Sequence, residues 1–230
     1  MFHLPFFVFT YLWSNYSMKV IYNKTKFFFF LSLLFFLVAT FVFISIPFGN
    51  EILFINQFNT PFFDFVFKYI TWLGELFWLF IILLFCFHSY KQGLFALLVY
   101  IFTTIVAQTI KHIWVEPRPA EYFKDLTKLH FVDGVNIHHW NSFPSGHTTS
   151  AFAMAFVLCF ILKRNLVLQV GLFLIAFLVG FSRMYLCQHF LKDVIAGAII
   201  GTSVAFGTSL LIQKMNWFNV AKFGNKLINI

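Results

Sequence analysis

The sequence predicts an all-α integral membrane protein, a six-helix bundle whose chemically active side chains gather at the outer, periplasmic face of the membrane. Three observations carry this. Of 230 residues, 60% are hydrophobic and only 10% charged, too little charge to cover a water-soluble domain of this length. Six apolar runs recur along the chain, several of them as long as the roughly 20 residues that cross a bilayer. The acids and the clustered lysines fall on opposite sides of the alternation that those runs define.

The first run, Phe27–Ile46, holds no charge. Lys19, Lys24 and Lys26 precede it as they would a secretory signal. Its apolar part is too long for one and no small-x-small cleavage site follows, so it reads as a retained first helix. Met18-Lys-Val-Ile-Tyr-Asn-Lys resembles a more ordinary bacterial start, and the Phe-rich residues before it read either as a segment at the membrane interface or as an extension of little consequence. The second run, Trp72–Phe87, is interrupted only by Glu75. Leu94–Gln108, Thr148–Leu162, Leu166–Phe181 and Val194–Ile212 follow. The expected organisation is a cytoplasmic or interfacial segment over 1–26, a six-helix domain over 27–212 and a cytoplasmic tail over 213–230. No repeat or soluble domain is visible, and Cys86, Cys159 and Cys187 show neither paired nor metal-ligand spacing.

With six crossings, the two termini and the loops after the second and fourth helices share one side. They carry Lys19, Lys24, Lys26, Lys91, Lys163, Arg164, Lys214, Lys222 and Lys226 and no acid. All 8 acidic residues belong to the opposite side or its edge. Basic short loops stay in the cytoplasm, so both termini are expected there, in the inner membrane of a bacterium. The net charge of +8 then reflects topology. Anionic membrane lipids are its natural counterpart, and nothing calls for nucleic acid.

Three clusters on the outer side carry chemistry. Lys111-His-Ile-Trp-Val-Glu-Pro-Arg118-Pro ends the third helix, with its two cations about two helical turns apart. Alone, it is explained by cations snorkelling at a membrane edge. Pro144-Ser145-Gly146-His147 opens the next helix. A helix N-terminus offers free N–H groups and the positive dipole end to an anion, and a glycine lets that anion approach closely. His147 at its edge can give or take a proton. In the third cluster, Arg183 closes the fifth helix, while His189 and Asp193 open the sixth. Four residues apart on a helix, these two share a face, where a carboxylate accepting Nδ1–H leaves Nε2 free as nucleophile or base. Together the clusters supply Lys111, Arg118 and Arg183 as cations, an N-terminus at Ser145 and Gly146, and two histidines. Binding and splitting a phosphate requires such a set. Asp125 and Asp133 lack ligand spacing, so no metal or other cofactor is expected. The residues alone do not rank His189 above His147 as nucleophile.

K-x6-R-P (Lys111 to Pro119), P-S-G-H (Pro144 to His147) and S-R-x5-H-x3-D (Ser182 to Asp193) resemble the three-part signature of the type 2 phosphatidic acid phosphatases. That family shares its active site with bacterial acid phosphatases, glucose-6-phosphatase and vanadium haloperoxidases. The resemblance covers the chain from about Trp72 to the sixth helix, and Thr71-Trp-Leu-Gly-Glu75 is similar to a weaker family feature. It implies a membrane lipid phosphatase working without metal. His189 would form a phosphohistidine, oriented by Asp193. His147 would protonate the leaving oxygen and then activate water. Lys111, Arg118, Ser145, Gly146 and Arg183 would hold the phosphoryl oxygens.

The implied partner is a lipid phosphate at the membrane surface: undecaprenyl diphosphate, phosphatidylglycerophosphate, phosphatidic acid or a phosphate of lipid A. The loop Ala120 to Phe143, with Lys124, Lys128, His130, His138 and His139, is placed to select among them or simply to face water. Transfer of the phosphoryl group to a lipid hydroxyl, and a non-enzymatic lipid transporter, are the competing readings. A haloperoxidase would need vanadate and does not suit six membrane helices. The oligomeric state is not readable.

Overall fold

A computed structural model describes residues 6–162 and 165–214. Among them the chain forms helices and no strand: α1 (Phe6–Ser45), α2 (Asn50–Asn56), α3 (Pro61–Ile70), α4 (Leu76–His88), α5 (Tyr90–Ile113), the short turn α6 (Pro119–Tyr122), α7 (Gly146–Ile161), α8 (Leu166–Tyr185) and α9 (Leu191–Lys214). The chain is an all-helical membrane protein. Each of the six expected runs lies in a helical region, but they are not six equal crossings. Four helices are long and apolar enough to span a bilayer, over Met18–Ser45, Tyr90–Ile113, Leu166–Tyr185 and Leu191–Gln213. α3 and α4 pass that test only as a pair bent by 46°, and α7 is apolar but shorter. α1 also extends back to Phe6, through the segment expected to precede the first helix. The basic pair Lys163 and Arg164, residues 1–5 and the tail from 215 lie outside the described residues.

α7 is the axis of the bundle, packed by α1, α5, α8 and α9. That position explains its unbroken run of small and apolar residues: Ala151 to Phe160 are all buried. Phe28 and Phe35 of α1 bring their rings to 6.3 and 5.8 Å from Phe152. The backbone of α9 approaches closest, because Gly197 and Gly201 repeat at the spacing of membrane helix contacts. A Cβ on Gly197 would come within 2.7 Å of the Ser145 carbonyl, and one on Gly201 would collide with that of Thr149. α8 is tied to α1 by Gln169, whose Oε1 accepts from Phe27 N and Phe28 N at 3.1 Å each while its Nε2 donates to Lys24 O at 2.8 Å.

The second run departs from expectation. Instead of a helix from Trp72, the chain makes a 3₁₀ turn over Thr71–Gly74 and a break at Glu75, and α4 begins at Leu76. Contact with α7 and α8 accounts for the break. A Cβ on Gly74 would lie 2.8 Å from both the His147 carbonyl and Val179 Cγ1, so only glycine lets this turn press on the start of α7. The short helices α2 and α3 add an outer layer that the hydropathy pattern did not indicate. α3 carries ordinary start signals, with Thr60 Oγ1 accepting from Phe63 N at 3.2 Å and Pro61 in its first turn.

The loop between α5 and α7 is fastened at several points. Arg118 N donates to His139 O at 2.8 Å and Ser142 N to Glu116 O at 3.0 Å, while Lys192 pairs with Glu116. Farther out, His130 Nε2 lies 2.8 Å from Asp64 Oδ2 and Lys68 Nζ donates to Asp133 O at 2.6 Å. His130 therefore serves to anchor the loop, away from the cavity described next.

Candidate active site

The start of α7 organises the site. Ser145 is its N-cap, with Oγ accepting from Thr148 N at 3.4 Å and from Thr148 Oγ1 at 2.8 Å. Its own N–H donates to the carbonyl of Asp193 at 3.0 Å, joining α7 to the first turn of α9. Ser145 is fully buried, and its hydroxyl works inside the helix cap instead of on a cavity wall. Gly146 and His147, one and two residues on, do line a cavity of about 280 Å³. A Cβ on Gly146 would meet nothing within 4 Å. The glycine therefore keeps that space open, with the helix N-terminus behind it.

Lys111, Arg118 and Arg183 line the same cavity. Lys111 Nζ donates to Asn141 O at 2.7 Å. Arg118 Nε donates to Trp140 O at 3.0 Å, and its Nη1 to Gln188 Oε1 at 3.0 Å and Gln188 O at 3.3 Å. Asn141 has φ 60, a left-handed conformation that asparagine tolerates better than most residues. The turn there presents the carbonyl to Lys111. Arg183 is buried and donates from Nη1 to Thr71 Oγ1 at 2.7 Å, while its Nε has no partner. A buried guanidinium N–H left open beside a cavity is a donor available to an anion.

His189 also lines the cavity. It does not stand on α9 as the spacing suggested, but in the turn before it. Asp193 Oδ2 accepts from Phe190 N at 2.9 Å, which ends the turn and starts the helix at Leu191. His189 Nδ1 lies 3.5 Å from Asp193 Oδ2, long for a hydrogen bond, and neither His189 Nδ1 nor Asp193 Oδ1 has a hydrogen-bond partner in the described residues. Such a contact tightens with a small shift of the ring, as apo sites commonly require. Burial first, then the guanidinium of Arg118, hold His189 well below the usual imidazole value. It is therefore neutral at neutral pH, with a lone pair to use.

Of the sequence-predicted residues, Lys111, Arg118, Gly146, His147, Arg183 and His189 meet on one cavity, whereas Ser145 and Asp193 stand behind it. Sequence reasoning missed three supporting residues. Ser142 Oγ donates to Asp193 Oδ2 at 2.5 Å. Glu75 Oε2 lies 3.3 Å from His147 Nε2. Gln188 braces Arg118. Thr71, the partner of Arg183, and Glu75 are the two ends of the Thr71-Trp-Leu-Gly-Glu75 stretch, so a signal for both was present. Of the loop residues, His138 alone reaches the cavity wall. Burial, then Arg118, lower its basicity.

Fold and cavity together define a multi-pass helical membrane protein with a polar pocket that joins three cations to two histidines. Residues 92–217 match the PAP2 superfamily, and the chain belongs to it. A lipid A 4'-phosphatase of Bacteroides thetaiotaomicron is 29% identical over 162 residues, 65% of this chain and 70% of that protein. Undecaprenyl-diphosphatase BcrC of Bacillus subtilis is 29% identical over 119 residues, 51% of this chain and 56% of that protein, so the chain spans about half of its length. Among solved structures, Aquifex aeolicus LpxE superposes with a TM-score of 0.61 at 31% identity, covering 70% of this chain and 93% of that one. A transmembrane PAP2-type phosphatidylglycerolphosphate phosphatase from Bacillus subtilis gives a TM-score of 0.58 at 26% identity, covering 84% and 98%.

Proposed function

We propose that the protein is a metal-independent lipid phosphatase that hydrolyses a phosphate from a lipid headgroup at the outer face of the bacterial inner membrane, through a phosphohistidine on His189. The single observation that carries this reading is the meeting of Lys111, Arg118, Arg183, His147 and His189 on one cavity at the N-terminus of α7. In the reaction, the three cations and the Gly146 N–H hold the phosphoryl oxygens. Nε2 of neutral His189 attacks phosphorus, Asp193 balances the imidazolium that forms, and His147 gives a proton to the leaving oxygen. Water, deprotonated by His147, then cleaves the P–N bond and releases phosphate. Cations occupy the positions where a metal would otherwise neutralise the phosphate. Ser145 contributes by fixing the start of α7.

The test is phosphate release from purified protein in detergent, offered phosphatidic acid, phosphatidylglycerophosphate, lipid A and undecaprenyl diphosphate. Release from at least one, undiminished by EDTA, is expected. Rapid acid-free quenching with labelled substrate should also trap an alkali-stable, acid-labile phosphoprotein that His189→Ala does not form. A trapped intermediate whose phosphate appears on an acceptor lipid instead of in solution would identify a phosphotransferase.

A further inference from the structure

A second cavity stands apart from the site at the start of α7. Its volume is about 590 Å³, within the range of roughly 300–1,000 Å³ that encloses a small ligand. It shares no lining residue with the first. α1, α2 and α8 form its walls, and Leu191, the first residue of α9, closes its end. Phe35, Val38, Val42 and Ile46 recur along one face of α1, a run of roughly 16 Å at the helical rise. That is about half of the ~30 Å hydrocarbon core, the depth of a single leaflet. Val38 and Val42 are exposed, so the cavity opens as a groove on the membrane-facing side of α1.

A membrane helix of another chain does not suit such a groove. Packed membrane helices approach one another through small residues, whereas this lining is mostly Phe, Val and Ile and ends after one leaflet. An acyl chain fits both the depth and the lining.

The polar end of the groove is a carboxylate. Glu51 stands in the first turn of α2, just past the end of α1. It is 5% exposed, and among the described residues only its Oε1 is engaged, accepting from Leu191 N at 3.3 Å. The cation next to Leu191 in the chain, Lys192, is turned instead to Glu116 and to the ring of Phe48. A buried carboxylate without a cation calls for a positively charged donor. A lipid that fills the groove with its chain brings such a donor to this spot when its headgroup carries an ammonium.

We propose that the groove between α1, α2 and α8 holds one acyl chain of an aminophospholipid whose ammonium group pairs with Glu51. The site is separate from the cavity that takes the reacting phosphate and does not rest on the reaction assigned there. Met184 and Leu191 line it and flank the turn that carries His189, so the bound lipid packs against the back of that turn.

The test uses the full chain in nanodiscs of phosphatidylglycerol with a trace of a photoreactive lipid. The probe is phosphatidylethanolamine or phosphatidylglycerol, each with the same diazirine-bearing acyl chain, and labelled residues are mapped by tandem mass spectrometry. The ethanolamine probe should label the groove, at Val42, Phe54 and Phe181, about fivefold more than the glycerol probe. Both should label Ile101 and Ile105 alike, on an exposed face of α5. Glu51→Gln keeps an acceptor for Leu191 N but removes the charge, and should bring the groove ratio to about one. Val42→Trp, at an exposed position, should fill the groove and lower the labelling of Phe54 and Phe181 by either probe, with Ile101 and Ile105 unchanged. The wild-type ratio needs no variant, so a substitution that fails to fold leaves the proposal exposed to it. Groove labelling no stronger with ethanolamine than with glycerol, or a preference that Glu51→Gln leaves intact, would overturn the assignment. So would a groove that neither probe labels above Ile101 and Ile105, as ordinary surrounding lipid or a second copy seated there would give.

Discussion

The two histidines share one cavity and differ in nearly everything around it. His189 is 1% exposed, and the carboxylate beside it, Asp193, is wholly buried and fixed by Ser142 and Phe190. The side chain of His147 is 20% exposed, and its carboxylate, Glu75, is 69% exposed on a broken turn. A buried imidazole with a fixed carboxylate behind it keeps one orientation, which suits in-line attack. An imidazole open to the cavity with a solvated partner can exchange protons with water, which suits acid–base work in both half-reactions. In the proposed reaction the division of labour between the histidines follows from this contrast in burial.

The strongest way to break the contrast is to remove each ring and change the leaving group. His189→Ala should lose turnover by about 10⁴-fold or more on any substrate, since no phosphoenzyme can form. His147→Ala should lose about 10²–10⁴-fold on a lipid ester, yet still give a burst of nitrophenol from p-nitrophenyl phosphate, whose leaving group departs without a proton. The burst is measured by stopped-flow absorbance. A burst in His189→Ala and none in His147→Ala would exchange the two roles.

The next effect is on pH. Burial and the nearby guanidinium of Arg118 place His189 well below 6.5. A lowered value means that the ring stays neutral, and able to attack, to more acidic pH; activity that depends on it is lost only as pH falls through the lowered value. An NMR titration of ring-labelled histidine should therefore find His189 uncharged throughout the range above 6.5. Arg118→Gln removes one of the positive charges holding the ring down, so its titration should move to higher pH. A His189 that titrates above 6.5, or one indifferent to Arg118→Gln, would remove the electrostatic half of the comparison.

What the sequence made legible were features written locally: the apolar runs, the cation spacing of Lys111 and Arg118, and the cap that starts α7. The break at Glu75 was not legible, because it arises where Gly74 presses on the His147 carbonyl, residues far apart in the chain. The same contact brings Glu75 to His147, so the partner of one histidine was hidden by long-range packing. His189 was expected on a helix because its spacing to Asp193 fits one. The structure meets the spacing differently, with Asp193 reaching back to Phe190 N. α2 and α3 escaped because they are short, 7 and 10 residues, and fall between the apolar runs, although Thr60 and Pro61 were readable as a start.

The smallest expected effect concerns Ser142, which separates orientation from charge in the His189 half of the comparison. Its side chain is fully buried and donates to Asp193 Oδ2 at 2.5 Å, while its N–H is held by Glu116 O at 3.0 Å. Ser142→Ala keeps the carboxylate and its charge but frees one oxygen to rotate away from Nδ1. A hydrogen bond to a buried carboxylate, lost in this way, should lower kcat about tenfold. KM should hold steady, since Ser142 does not line the cavity. Ser142→Thr, which keeps the hydroxyl, should restore most of the rate. If Ser142→Ala turns over at the normal rate, Phe190 N and the helix start suffice to aim Asp193, and the buried histidine owes its orientation to packing alone.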